Sequence, residues 1–157
     1  MSVLLIQGPR RPPATQSHVP PDLLRELAVK IRHLGSSLCV STCDSATGLA
    51  RCLRQSRANG VDVVLLDSGG LDALDCARHE LDLRDALNDL GAPYIEIHDR
   101  SGCDLESRVR ASHFASAIIV ATRDITQGYA IAFGMVLRRM RNRQEGVAGH
   151  GERSVEA

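Results

Sequence analysis

Short apolar runs and helically spaced apolar residues alternate along this chain. Val3–Gln7 (VLLIQ) is too short for a helix and suits a buried strand, closed by Gly8-Pro9. After the polar, proline-rich stretch Arg10–Pro21, Leu23, Leu24, Leu27, Ile31 and Leu34 recur at helical spacing. They predict a helix from a capping Asp22 to His33, stopped by Gly35. Ser37–Ser41 reads as a second strand, and Asp44 or Ser45 caps a helix reaching Ala58, before Asn59-Gly60. Val63–Leu66 (VVLL) is the core of the most apolar strand, followed by a Gly- and Asp-rich loop, Ser68–Asp75. A helix is expected from about Cys76 to Leu90, a fourth strand over Tyr94–Ile97 and a loop over His98–Arg108 with room for one helical turn. Ala117–Ala121 (AIIVA) is the fifth strand, and Ile125–Arg143 is the last helix, with Ile131, Val136 and Leu137 facing inward. Gln144–Ala157 is polar and aperiodic, which reads as a disordered tail after a single domain spanning 1–143.

Five apolar strands separated by helices imply an α/β fold with a parallel sheet covered on both faces. The natural arrangement is a flavodoxin-like three-layer sandwich of strand order 2-1-3-4-5. Ligands in such sheets bind beyond the carboxyl ends of the strands, where the order reverses. The loops Gly8–Pro13, Asp67–Asp72 and His98–Ser101 should therefore converge on one crevice.

Composition narrows the function. The 157 residues carry no net charge, only 3% aromatic residues and no Trp, so neither a basic footprint nor stacking platforms for nucleic acid are present. Five cysteines without a C-x-x-C pair, and no signal-peptide pattern, point to free thiols in the cytoplasm. The apolar runs are too short to cross a membrane.

Four groups could carry chemistry. Arg10 and Arg11 follow the first strand and could hold a carboxylate or phosphate with paired donors; a solvated basic turn is the other reading. Asp67 directly follows the third strand and could act as a base or position water, or else cap the next turn. His98, with Arg100 and Ser101, ends the fourth strand, where histidine can exchange protons near neutrality. Tyr94, Glu96 and His98 share a strand face, so a buried Glu96 needs a donor, expected from a histidine or arginine. Arg108, Arg110 and His113 lie on a segment that could close over the same crevice or simply be solvated. The histidines are scattered, so no metal site is expected.

Several segments, in order, resemble the type II 3-dehydroquinate dehydratases. They are VLLIQGP at Val3–Pro9, VDVVLLDSG at Val61–Gly69, LRDALNDLGAPYIEIH at Leu83–His98 and QGYAIAF at Gln127–Phe133. The resemblance implies a flavodoxin-like fold, no cofactor, assembly as trimers arranged into dodecamers, and loss of water from a cyclic hydroxy-ketone acid through an enolate. In that family a tyrosinate on a mobile loop, activated by an arginine, removes a proton. A histidine ending the fourth strand protonates the leaving hydroxyl, an asparagine after the third strand positions water or enolate, and backbone after the histidine binds the substrate carboxylate.

His98 matches that acid histidine. Other positions depart from the pattern. Asp67 stands for the asparagine, Arg10 for the asparagine after Gly-Pro, and Asp99, Arg100 and Ser101 alter the carboxylate loop. Asp67 and Arg10 are placed to pair. The segment Arg11–Pro21 is shorter than the family's lid and holds no tyrosine, and the only tyrosines are Tyr94 and Tyr129. Either Arg108 or Arg110 could match the family's loop arginine. Acid–base catalysis is typically worth roughly 10²–10⁴-fold in rate, so loss of the base should abolish the ordinary mechanism.

The expectation is a divergent paralogue that applies acid–base chemistry to another anionic or polar cyclic small molecule, as in specialised metabolism. His98 and Asp67 would be acid and base, and Arg10, Arg11, Arg100, Ser101, Arg108 and Arg110 the substrate contacts. A non-catalytic ligand-binding or scaffold homo-oligomer is the alternative. A receiver-like signalling domain with Asp67 as phospho-acceptor is a third reading. It lacks the acidic pair after the first strand, where Gln7-Gly8-Pro9-Arg10 stands instead, and the lysine after the fifth.

Overall fold

A computed structural model of the protein describes residues 1–9, 19–99, 104–122 and 124–148. Five strands, β1 (Ser2–Gln7), β2 (Ser37–Thr42), β3 (Val63–Asp67), β4 (Tyr94–Asp99) and β5 (Ala117–Ala121), form one sheet in the order β2-β1-β3-β4-β5. Every neighbouring pair is parallel. The helices are α1 (Pro21–His33), α2 (Ala46–Ala58), α3 (Ala73–Arg78), α4 (Glu80–Asn88), α5 (Leu105–Val109) and α6 (Ile125–Ala148). This is the flavodoxin-like sandwich that the alternating pattern predicts.

The period of two along each strand builds two cores. Leu4, Ile6, Val64, Leu66 and Tyr94 face α2, α4 and α5. Val3, Leu5, Val63, Leu65, Ile95 and Ile97 face α1 and α6. Among the described residues, only the three central strands are covered on both faces. At the edge, Ile118 and Val120 of β5 remain 43% and 48% exposed.

Several elements differ from the sequence expectation. Asp22 lies inside the first turn of α1, where it pairs with Arg25; Pro20 is the N-cap, and Pro21 fits a first position whose N–H has no partner anyway. The helix expected from Cys76 begins earlier, at Ala73, because the Asp72 side chain accepts from the Leu74 amide. It breaks at His79, whose ring turns back to Asp75. Strand β4 runs on to Asp99, so His98 belongs to the strand rather than to the loop after it.

The inward stripe of α6 is Ile125, Tyr129, Ala132, Phe133, Val136 and Met140, and Ile131 is 55% exposed. The correct register follows the 3.6-residue period through Tyr129, not through Ile131. Helix α6 also continues past Arg143 to Ala148, and the Gln144 side chain donates to Leu34 O at 2.9 Å. Residues 149–157 lie outside the described residues.

Two glycines fix the carboxyl edge. A Cβ on Gly8 would lie 2.1 Å from Ser68 O, and one on Gly69 (φ +60°) would lie 2.5 Å from Pro9 O. Gly134, within α6, faces open space. Gly8→Ala should therefore lower stability by about 1–3 kcal/mol or more through forced backbone movement. Gly134→Ala should raise it by about 0.5–1 kcal/mol through helix propensity. Thermal and urea melts of both variants check this pair of opposite signs.

Candidate active site

The end of β3 is tied to its neighbours by polar contacts. Asp67 is 0% exposed. Its Oδ1 accepts the Gly69 N–H at 2.8 Å, and its Oδ2 accepts the Tyr129 hydroxyl at 2.5 Å. The Tyr129 oxygen in turn accepts from Gln7 Nε2 at 3.1 Å. Backbone contacts complete the join: Gly8 N donates to Asp67 O at 2.7 Å, and Gly70 N to Pro9 O at 2.8 Å. The loops after β1 and β3 thus meet as expected, and they close on each other backbone to backbone. To serve as a base, Asp67 would have to release Tyr129 or Gly69. At the end of β2, burial first, and then Cys52, Asp44 and Asp67, push the Cys43 thiol up to about 12, which removes it as a nucleophile.

The end of β4 is the second centre. His98 is 7% exposed, and its Nδ1 lies 2.9 Å from the carbonyl oxygen of Asp99. A carbonyl can only accept, so Nδ1 carries the proton. Nε2 is the other ring nitrogen. It is buried and has no hydrogen-bond partner among the described residues.

Glu96, on the same strand face, is fully buried. Its donors are backbone amides, Leu105 N at 2.7 Å and Glu106 N at 3.1 Å, not the histidine or arginine expected from the sequence. These amides open α5, so Glu96 docks the first turn of α5 onto β4. Burial raises the Glu96 carboxyl to about 7, against the lowering effect of the two amides and of His98. Asp104 caps α5 through the Ser107 amide at 3.1 Å. Burial acts to raise its carboxyl, but Ser107, His98 and Arg108 together hold it below the usual range.

Tyr94 completes the support. Its hydroxyl donates to Glu106 at 2.6 Å, the same oxygen that takes the Ala115 amide at 3.0 Å. Burial and Glu106 drive the phenol far above its ordinary value, so Tyr94 cannot supply a tyrosinate. His113 stacks on the Tyr94 ring at 5.7 Å and bonds Ala92 O at 3.0 Å.

The arginines divide. Arg108 and Arg110 are both exposed, and they line a cleft of about 450 Å³ with Ala73, Cys76, Glu80 and Arg84, on the flank between α3, α4 and α5. Arg84 is held there by Glu80 and Val109 O. Arg10, Arg11, Arg100 and Ser101 lie outside the described residues. A larger cleft, about 800 Å³, sits at the opposite edge against the strand starts Val63, Pro93 and Ser116, away from His98. Sequence reading missed Tyr129 as the partner of Asp67, and Asp104 and Glu106 as parts of the β4 site. The one local signal was Asp104 three residues before Ser107, an N-cap spacing.

Glu96 predicts a pH signature. Its carboxyl is raised in the folded state, from 4.5 to about 7, so its protonated form is the one folding favours. That contribution is complete below about pH 4.5 and disappears as pH rises through 7, up to roughly 3 kcal/mol if the whole shift is realised. Glu96→Gln should flatten this part of the stability curve. Melting temperatures of both proteins from pH 4 to 8 check it; parallel curves would refute the assignment.

No protein-family model matches the chain. Among curated proteins it resembles 3-dehydroquinate dehydratase of Prochlorococcus marinus, 30% identical over 105 residues, covering 62% of this chain and 68% of that one. The enzyme of Nitrosomonas europaea is 26% identical over 146 residues, covering 88% and 98%. Among solved structures, the type II dehydroquinase from Propionibacterium acnes superposes with a TM-score of 0.59 at 21% identity, covering 87% of this chain and 98% of that one. A 3-dehydroquinate dehydratase-like protein from Bifidobacterium longum gives 0.53 at 17%, covering 88% and 97%. With this sequence match, the fold and the strand-end His98, the chain belongs to the 3-dehydroquinate dehydratase family, as a divergent member with the type II fold.

Proposed function

We propose that the protein is a repurposed dehydroquinase-fold enzyme, in which His98 moves a proton in the dehydration, cyclisation or isomerisation of an anionic or polar cyclic small molecule. One observation carries this reading: Nε2 of a buried strand-end histidine has no hydrogen-bond partner among the described residues. A satisfied core histidine would have both nitrogens engaged, as is usual for buried polar groups. The absence of a tyrosine between Gly8 and Pro21 favours a reaction other than the one named for its relatives.

In this reading the neutral ring takes a proton at Nε2 while Nδ1–H stays on Asp99 O; the imidazolium returns it to a leaving oxygen or carbon. Asp67 acts opposite His98, as base or as the group that holds water, when substrate binding loosens Tyr129. Arg10, Arg11, Arg100 and Ser101 form the anion clamp; Arg108 and Arg110 stand exposed on the flank beside α3, α4 and α5 and are left out of it. The exposed Ile118 and Val120 of edge strand β5 support a homo-oligomer.

The locked state of Asp67 favours a second reading, a non-catalytic ligand-binding paralogue. With no free base, the crevice would bind a cyclic carboxylate and leave it unchanged.

Incubation in D₂O with dehydroquinate and with a panel of cyclic hydroxy and keto acids, followed by NMR, separates these readings. The enzyme reading expects deuterium uptake or conversion for a panel member, reduced about 10²–10⁴-fold in His98→Ala. It also expects no dehydroquinate turnover at ordinary enzyme rates, about 1–10³ s⁻¹. Thermal stabilisation by a ligand that exchanges no deuterium favours the binding reading. Rapid dehydroquinate turnover would overturn the repurposing. Light scattering of the purified protein should give a mass above one chain, and a monomer would remove the oligomer.

A further inference from the structure

We propose that Glu96, His98 and Asp104 form a binding site for a divalent first-row transition metal ion. Each residue offers one ligand atom, and the three atoms lie within 4.8 Å of one another. Two carboxylates and an imidazole suit Zn²⁺, Mn²⁺ or Co²⁺ better than Mg²⁺ or Ca²⁺, which favour oxygen alone. Ligands placed about 2.0–2.2 Å from Zn²⁺ stand roughly 3.4 Å apart, so the set needs at most about 1.5 Å of inward movement. Asp104 is the least buried of the three.

The surroundings match what a metal centre requires of its second layer. Ligating histidines usually give their other N–H to a carbonyl or carboxylate, which turns the free nitrogen to the ion. His98 does this through Nδ1 to Asp99 O, and Nε2 is the buried nitrogen left without a partner among the described residues. Ligating carboxylates are themselves held by hydrogen bonds. Both Glu96 oxygens take an amide of α5, and Asp104 takes the Ser107 amide, so each carboxylate is oriented and keeps a lone pair. The ligands come from β4 at i and i+2 and from the cap of α5, so strand pleat and helix start together fix the spacing. Three protein ligands leave a fourth position for water or a ligand oxygen, the open form of such a site.

The metal site and the proton-carrying role of His98 exclude each other at any one moment, because a metal and a proton compete for the same Nε2. The full-length protein, dialysed against chelator, is titrated with Zn²⁺ by calorimetry and with Co²⁺ by visible absorption. One ion per chain is expected at micromolar or lower dissociation constant, with no sulfur-to-cobalt charge-transfer band, which sets it apart from adventitious binding at the exposed Cys39. His98→Ala and Asp104→Asn should each weaken binding by at least about tenfold. Asp104→Asn is the decisive variant, since it keeps shape and the Ser107 cap, and circular dichroism confirms its fold. Millimolar Mg²⁺ should not compete.

Binding that neither variant changes, a cobalt–thiolate spectrum, or no binding at all would overturn the site. Deuterium exchange that persists in the chelated protein without any metal binding removes this proposal and leaves His98 as the proton carrier. Metal binding without proton transfer removes the other reading instead.

Discussion

The carboxylate of Asp67 is the junction on which the carboxyl edge of the sheet depends. It stands buried at the end of the central strand β3, and accepts from the loop at Gly69 and from Tyr129 of α6. Through Tyr129 it also reaches Gln7 of β1. One side chain therefore joins two strands, a turn and the helix on the far face. A buried carboxylate of this kind is costly unless its lone pairs are filled, so the surrounding geometry is over-determined. The same filling makes Asp67 part of the framework of this edge.

The fold was legible because burial writes itself into the strands. VLLIQ, VVLL and AIIVA can only be strands in a chain of this length, and the helical stripe of α1 needed no tertiary knowledge. The failures came where a polar group decided. Asp72 started α3 three residues early, and His79 broke it, because side-chain bonds to backbone compete with propensity. In α6 the inward stripe from Ile125 through Tyr129, Phe133 and Val136 to Met140 was present as a helical period, and the apolar Ile131 drew the reading off it.

The site was half legible. His98 was readable because a strand end followed by polar residues has a fixed place in this architecture. Its neighbours were not. Glu96 found backbone amides rather than a charged partner, since the start of α5 lay folded against it. Asp104 came within reach only through that fold. Short-range spacing records ligands on one element; it is silent about a cap brought back by a loop.

The close approach of Gly8 and Gly69 has a consequence for how this scaffold can change. With a Ser68 carbonyl and a Pro9 carbonyl where their side chains would begin, Gly8 and Gly69 leave peptide against peptide between β1 and β3. No side chain can replace either glycine there without moving the backbone. New specificity must be written around these two glycines rather than at them, as a lock keeps its barrel while the pins are exchanged.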